Sequence, residues 1–144
     1  MSKLVQLIAA LTFTLTSTYV FANTLTSDDL WLRESVPGAE NGAGFGTFYN
    51  ASDEDLVIIA ASSTAAADVE LHRHVHQEGQ MAMEQIESLT IPAGESVELR
   101  PGGYHLMLMQ LHQPLAIDDQ HTVVLQLNNG ERVEFQVKVK SLLQ

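Results

Sequence analysis

Between Arg132 and Lys140 every second side chain is apolar: Val133, Phe135, Val137 and Val139 alternate with Glu134, Gln136, Lys138 and Lys140. A period of two sends successive side chains to opposite faces of a strand, so this segment buries one face and leaves the other in water. Short segments of the same β-branched and aromatic texture recur along the chain, and the pattern predicts strands at Gly44–Tyr49, Leu56–Ser62, Ala67–His76, Met81–Ser88, Ser96–Arg100, Tyr104–Leu111, Thr122–Leu127 and Arg132–Val139. Turn chemistry separates them at Asn50–Glu54, Gly79, Pro92-Ala93-Gly94, Pro101-Gly102-Gly103 and Asn128-Asn129-Gly130, where Asn129-Gly130 is the strongest hairpin signal. Many short strands at even spacing, without helical periodicity between them, predict an all-β sandwich or barrel.

The length of 144 residues allows one domain of ordinary size, and 45% hydrophobic against 17% charged residues supplies a core. Seven basic against 18 acidic residues give a net charge of −11, which repels phosphate backbones and excludes nucleic acid as a natural partner. With no cysteine, disulfides, thiolate catalysis, thiolate zinc sites and iron–sulfur clusters are all excluded. The first residues have the grammar of an export signal: Lys3, an apolar run from Leu4 to Leu15, and small residues around Val20-Phe21-Ala22. We therefore expect a signal peptide at 1–22 cleaved after Ala22, a lead-in at 23–43 and the folded domain at 44–144. The apolar run is shorter than the roughly 20 residues that span a bilayer, and a lipid anchor would need a cysteine. An exported protein without a membrane anchor is expected.

Methionine and histidine are unevenly placed. Beyond Met1 the methionines are Met81, Met83, Met107 and Met109, and five of the six histidines, His72, His74, His76, His105 and His112, lie in the same stretch. On a strand, His72, His74 and His76 share one face while Val69, Leu71 and Val75 share the other; His105, Met107 and Met109 likewise oppose Tyr104, Leu106 and Leu108. Met81 and Met83 repeat the spacing. A single Met-x-Met is ordinary core filler, but three strands that each offer same-face thioethers or imidazoles form a donor set. Thioether sulfur is soft and neutral, suited to Cu(I) and poorly suited to Zn, Mg or Ca. It also persists in an oxidising compartment where thiols would be drawn into disulfides.

The residues that carry this donor set resemble the signature of the periplasmic copper chaperones of the PCu(A)C family. That signature is a His, ten residues, a Met, twenty-one residues and His-x-Met, matched here by His72, Met83, His105 and Met107. The flanking text is similar too, in Val69-Glu70-Leu71-His72, Ile91-Pro92-Ala93-Gly94 and Arg100-Pro101-Gly102-Gly103-Tyr104-His105-Leu106-Met107-Leu108-Met109, and the resemblance covers about Gly44 to Val139. It implies a cupredoxin-like β-sandwich or Greek-key barrel that binds a single Cu(I) through those four residues. It further implies a non-enzymatic carrier that delivers copper to the binuclear copper A centre of cytochrome oxidase subunit II, alongside Sco-type proteins. The chain departs from the family at His74, where many members carry Met, at the additional His76, and at Glu84-Gln85, where relatives often carry a basic residue and Pro. His74, His76, Met81 and Met109 are accessory candidates, and the extra imidazoles offer a place for Cu(II). Periplasmic copper buffering or resistance would use the same site. A β-sandwich interaction module would instead pack these side chains inside.

Overall fold

The computed structural model describes residues 24–143; the expected signal peptide lies outside them. Ten strands follow in order: β1 (Leu25–Arg33), β2 (Gly42–Asn50), β3 (Leu56–Ser63), β4 (Ala66–Gln77), β5 (Gln80–Ile86), β6 (Leu89–Ile91), β7 (Ser96–Leu99), β8 (His105–Leu111), β9 (Gln120–Leu127) and β10 (Arg132–Lys140). No helix occurs among the described residues. The strands pair in the order β4-β8-β2-β1-β10-β9-β3, and β3 returns to β4 at Ala61↔Val69, which closes a seven-stranded barrel. The all-β, cupredoxin-like barrel expected from the pattern and the resemblance is the fold observed. Among the described residues the strand ladders are antiparallel except β1 with β10, where Trp31, Leu32 and Arg33 face Lys138, Val139 and Lys140; a single parallel bridge joins Leu99 to Tyr104. Strands β5, β6 and β7 attach outside the ring, to β4, β3 and β2 respectively.

Alternation fills the interior as the sequence predicts. Val133, Val137 and Val139 are buried, and Val123, Leu125 and Leu127 from β9 meet Phe48, Leu106, Leu108 and Ile58 in a single apolar cluster. The lead-in at 23–43 is corrected by the structure: its strand β1 is a full member of the ring, with Leu25 and Leu32 completely buried. Its alternation is hidden by a bulge, since the register with β2 shifts between Asp28 and Trp31 and Asp29 adopts φ 51°. Gly46 makes room for that bulge. At φ 146° its missing Cβ would stand 2.7 Å from the Leu30 Cα, so only glycine lets the two backbones meet there.

Asn50 is fully buried at the end of β2, yet each polar atom of its side chain is satisfied. Nδ2 donates to the carbonyls of Glu54 (2.7 Å) and Ile91 (2.9 Å), and Oδ1 accepts from the Ser52 N–H (2.9 Å) and hydroxyl (2.7 Å). One side chain thus ties the β2–β3 turn to β6. Asn50→Ala would remove four hydrogen bonds and leave the buried Ile91 carbonyl without its side-chain donor, and is expected to cost about 2–3 kcal/mol, measured as a fall in the urea midpoint at constant slope.

Candidate metal centre

Strand β4 is longer than the barrel needs. Over Ala66–His72 it pairs with β8, the last register pair being His72↔His105, and beyond that point it continues as one arm of a hairpin with β5. The hairpin turns at Glu78-Gly79, both at positive φ. On the face that carries the donors, His72 lies opposite Gln85, His74 opposite Met83 and His76 opposite Met81. Across the other edge of β4, His72 faces His105 and Glu70 faces Met107. Two ladders therefore bring donors from three strands to one surface at the mouth of the barrel.

A cavity of about 450 Å³ opens there, lined on one side by His74, Met83, His105 and Met107 and on the other by Arg33 at the end of β1 and the β1–β2 connection from Glu34 to Val36. The rings of His72 and His74 stand 5.7 and 5.2 Å from that of His105. On its far side His105 meets Phe45 at 6.4 Å, and Phe45 meets Trp31 at 5.2 Å, so the site is backed by aromatic rings. Phe45 also lines the cavity.

Hydrogen bonds decide which ring nitrogens can hold a metal. Nδ1 of His105 lies 3.2 Å from the Gly103 carbonyl and Nδ1 of His74 lies 3.4 Å from the same oxygen. A carbonyl only accepts, so in each of these bonds Nδ1–H donates and the Nε2 lone pair is left for an ion, the usual way a backbone group sets the tautomer of a metal-binding imidazole. His72 is held the other way round: its Nε2 donates to Glu70 Oε2 at 2.7 Å, while its Nδ1 is buried and has no partner. Any bond from His72 to an ion would use that Nδ1, with Glu70 behind it as the carboxylate of a carboxylate–histidine–metal arrangement.

The structure thus brings Met83, His105 and Met107 of the motif to one cavity together with His74, and sets His72 beside them, against Glu70 and the His105 ring. Met109 lies opposite Asp68, two residues further along β8 and off the cavity wall. His76 and Met81 are exposed near the tip of the hairpin. Glu70 and Gly103 are participants that the donor pattern alone does not identify. Glu70 was legible as the residue two before His72 on the same face; the role of the Gly103 carbonyl needs the three-dimensional turn.

Among the described residues no three His, Asp or Glu side chains converge on a possible ion position. Met83 and Met107 bring thioethers to the same cavity as His74 and His105, and a mixed set of imidazole and thioether donors suits Cu(I) better than harder ions. His105 is 3% exposed, and burial pushes its pKa below the ordinary 6.5; the Gly103 carbonyl opposes that shift and the nearby His74 and His72 add to it. Between the lowered folded value and about 6.5 the unfolded chain binds more protons than the folded one, so stability rises with pH across that window and is lost as pH falls through it. The His105 ring is expected to titrate with a midpoint below 6.5 when followed by NMR; a midpoint at or above that value would contradict the burial argument.

Residues 25–139 match the family profile described as "Putative lipoprotein LpqE-like". The chain belongs to the LpqE-like family. It is 33% identical over 111 residues to "Putative lipoprotein Lxx21020" of Leifsonia xyli subsp. xyli, a match that takes in 76% of this chain and 66% of that protein. The family and this relative are named as lipoproteins, a class of exported protein, whereas the present chain has no cysteine. In structure, this LpqE-like chain is similar to the apo PCuAC domain from PmoF1, with a TM-score of 0.68, 17% identity and coverage of 82% of this chain and 94% of that one. It is also similar to the CuI form of DR1885 from Deinococcus radiodurans, with a TM-score of 0.67, 26% identity and coverage of 81% and 78%. The PCuAC architecture implied by the motif is the architecture of this LpqE-like protein.

Proposed function

We propose that this protein is a periplasmic Cu(I) carrier, released from a signal peptide after Ala22, that supplies copper for cytochrome oxidase assembly. The observation that carries the reading is the cavity itself: His74, Met83, His105 and Met107 converge on it, and His74 and His105 are each held by Gly103 so that Nε2 is free. His72 is the fifth donor at its edge, through Nδ1. Four or five neutral donors leave the ion's single charge uncompensated by the ligands, which a protein of net charge −11 tolerates. The similar DR1885 structure is of a CuI form, and a similar PCuAC domain from PmoF2 is copper-bound. Their likeness supports copper as the cargo here. Delivery to the copper A centre of subunit II, in company with a Sco-type protein, follows from the PCu(A)C resemblance.

One half-exposed ligand beside sheltered ones suits a carrier rather than a store or an enzyme. Met83 is 54% exposed, so an acceptor's donors can approach the ion while the protein's own donors still hold it, and the ion passes by ligand exchange. The same exposure argues against an interaction module with its methionines packed inside, because a filler side chain is a buried one.

Anaerobic titration with Cu(I) against a chromophoric chelator is expected to reveal one tight equivalent. Met83→Leu and Met107→Leu keep side-chain volume and are expected to weaken binding by roughly 100-fold together, about 3 kcal/mol, without moving the melting temperature by more than a few degrees. Failure to compete with the chelator at any ratio would end the copper reading. A stable protein that binds Cu(I) but transfers none to the isolated copper-binding domain of oxidase subunit II would direct the reading to buffering instead.

A further inference from the structure

The hairpin arm carries a second imidazole–thioether rung that the cavity does not use. The register sets His76 directly opposite Met81, one rung outward from His74 and Met83. Directly opposed residues start about 4.5–5.5 Å apart at Cβ, and a step of two along the strand keeps both on the donor face. His76 is exposed and Met81 is 53% exposed, so neither serves the core. Around them the tip is polar, with Gln77, Glu78 and Gln80. Apolar packing therefore does not account for a methionine at this position.

We propose that His76 and Met81 form a second, outer Cu(I) site, which takes the ion at the hairpin tip and passes it to the His74–Met83 rung and so into the cavity. This rests on the Cu(I)-carrier reading. One neutral imidazole and one thioether provide the two donors that a d10 ion accepts in near-linear coordination. With fewer ligands and more water around it, this site is the weaker of the two, which gives the passage its inward direction. The rungs are about 6.8 Å apart along the strand, a distance that flexible methionine side chains with three rotatable bonds can bridge. As a bond to Met83 or His74 forms, one to Met81 or His76 breaks; the ion remains Cu(I), and neither an electron nor a proton moves. The acidic net charge draws cations towards the protein as a whole.

The test uses Ag(I) as a redox-inert stand-in, added to the full protein with methionine methyl groups and histidine rings observed by NMR. The first equivalent is expected to shift Met83 and Met107, and a second, weaker one to shift the Met81 methyl and the His76 ring together. The double variant His76→Asn, Met81→Leu is expected to lose the second event, keep the first unchanged, and load its cavity several-fold more slowly from a Cu(I)–chelator complex. Silence of Met81 and His76 while Met83 and Met107 respond would overturn the outer site alone. So would a response of all four in a single event, survival of the second event in the double variant, or an unchanged loading rate. Silence at Met83 and Met107 would overturn the carrier reading and the outer site with it.

Discussion

Strand β4 is hydrogen-bonded on both edges, and that double pairing is what makes a site possible. Leu71 lies between Ile86 and Leu106, and His72 between Gln85 and His105, so β5, β4 and β8 run in a fixed register across three strands. A slip of one residue in either ladder would send the histidines of β4 to the core side and Leu71 to solvent, at the cost of burying imidazoles and exposing leucine. The hydrophobic alternation of Val69 and Leu71 therefore enforces the position of His72 and His74 as firmly as any contact the histidines make. The placement of these side chains on one face is a by-product of core packing.

What the site adds to this scaffold is control over protons. Two backbone-anchored rings share the carbonyl of Gly103, which sits in the turn Pro101-Gly102-Gly103 with Gly102 at φ 82°. That turn is itself braced, because the Gly103 N–H donates to the Arg100 carbonyl at 3.0 Å and the Arg100 N–H donates to the Tyr104 carbonyl at 2.9 Å. Burial keeps His105 neutral at physiological pH, and a neutral ring is the form that binds metal. Glu70 anchors His72 from the other nitrogen, accepting from Nε2 at 2.7 Å, and so leaves Nδ1 as the atom without a protein partner.

Most of the fold was legible because its strands alternate cleanly and its turns use glycine, asparagine and proline where the backbone requires them. Two strands escaped for physical reasons. In β1 the bulge at Asp28–Asp29 breaks the period of two, so the stretch around Trp31 reads as an irregular lead-in although Leu25 and Leu32 are in the core. In β6, Leu89-Thr90-Ile91 is too short to show any period, and its strand character comes from pairing with Leu56, Val57 and Ile58 of β3. That these imidazoles and thioethers share strand faces was legible from their spacing. Their arrangement was not, because whether His72 or His74 lines the cavity depends on where β4 parts from β8, and that depends on the turn before His105.

The half-open character of the site follows from the same parting of strands. A barrel strand buried on one face and paired on both edges would hold its ligands rigidly, with no route for an incoming donor. By leaving the ring at His72 and continuing as a two-stranded arm, β4 carries His74 and Met83 to a place where solvent reaches one side of them, while β8 keeps His105 buried against Phe45. The opposite wall is largely a connection between strands, Glu34 to Val36 beyond the end of β1, with Val36 67% exposed beside the cavity. Loops and edge hairpins are the parts of a fold that open at least cost in free energy. β8 thus presents an enclosed imidazole and thioether, His105 and Met107, and the β4–β5 arm presents a more accessible pair, His74 and Met83, so the fold places sheltered and approachable donors on different strands.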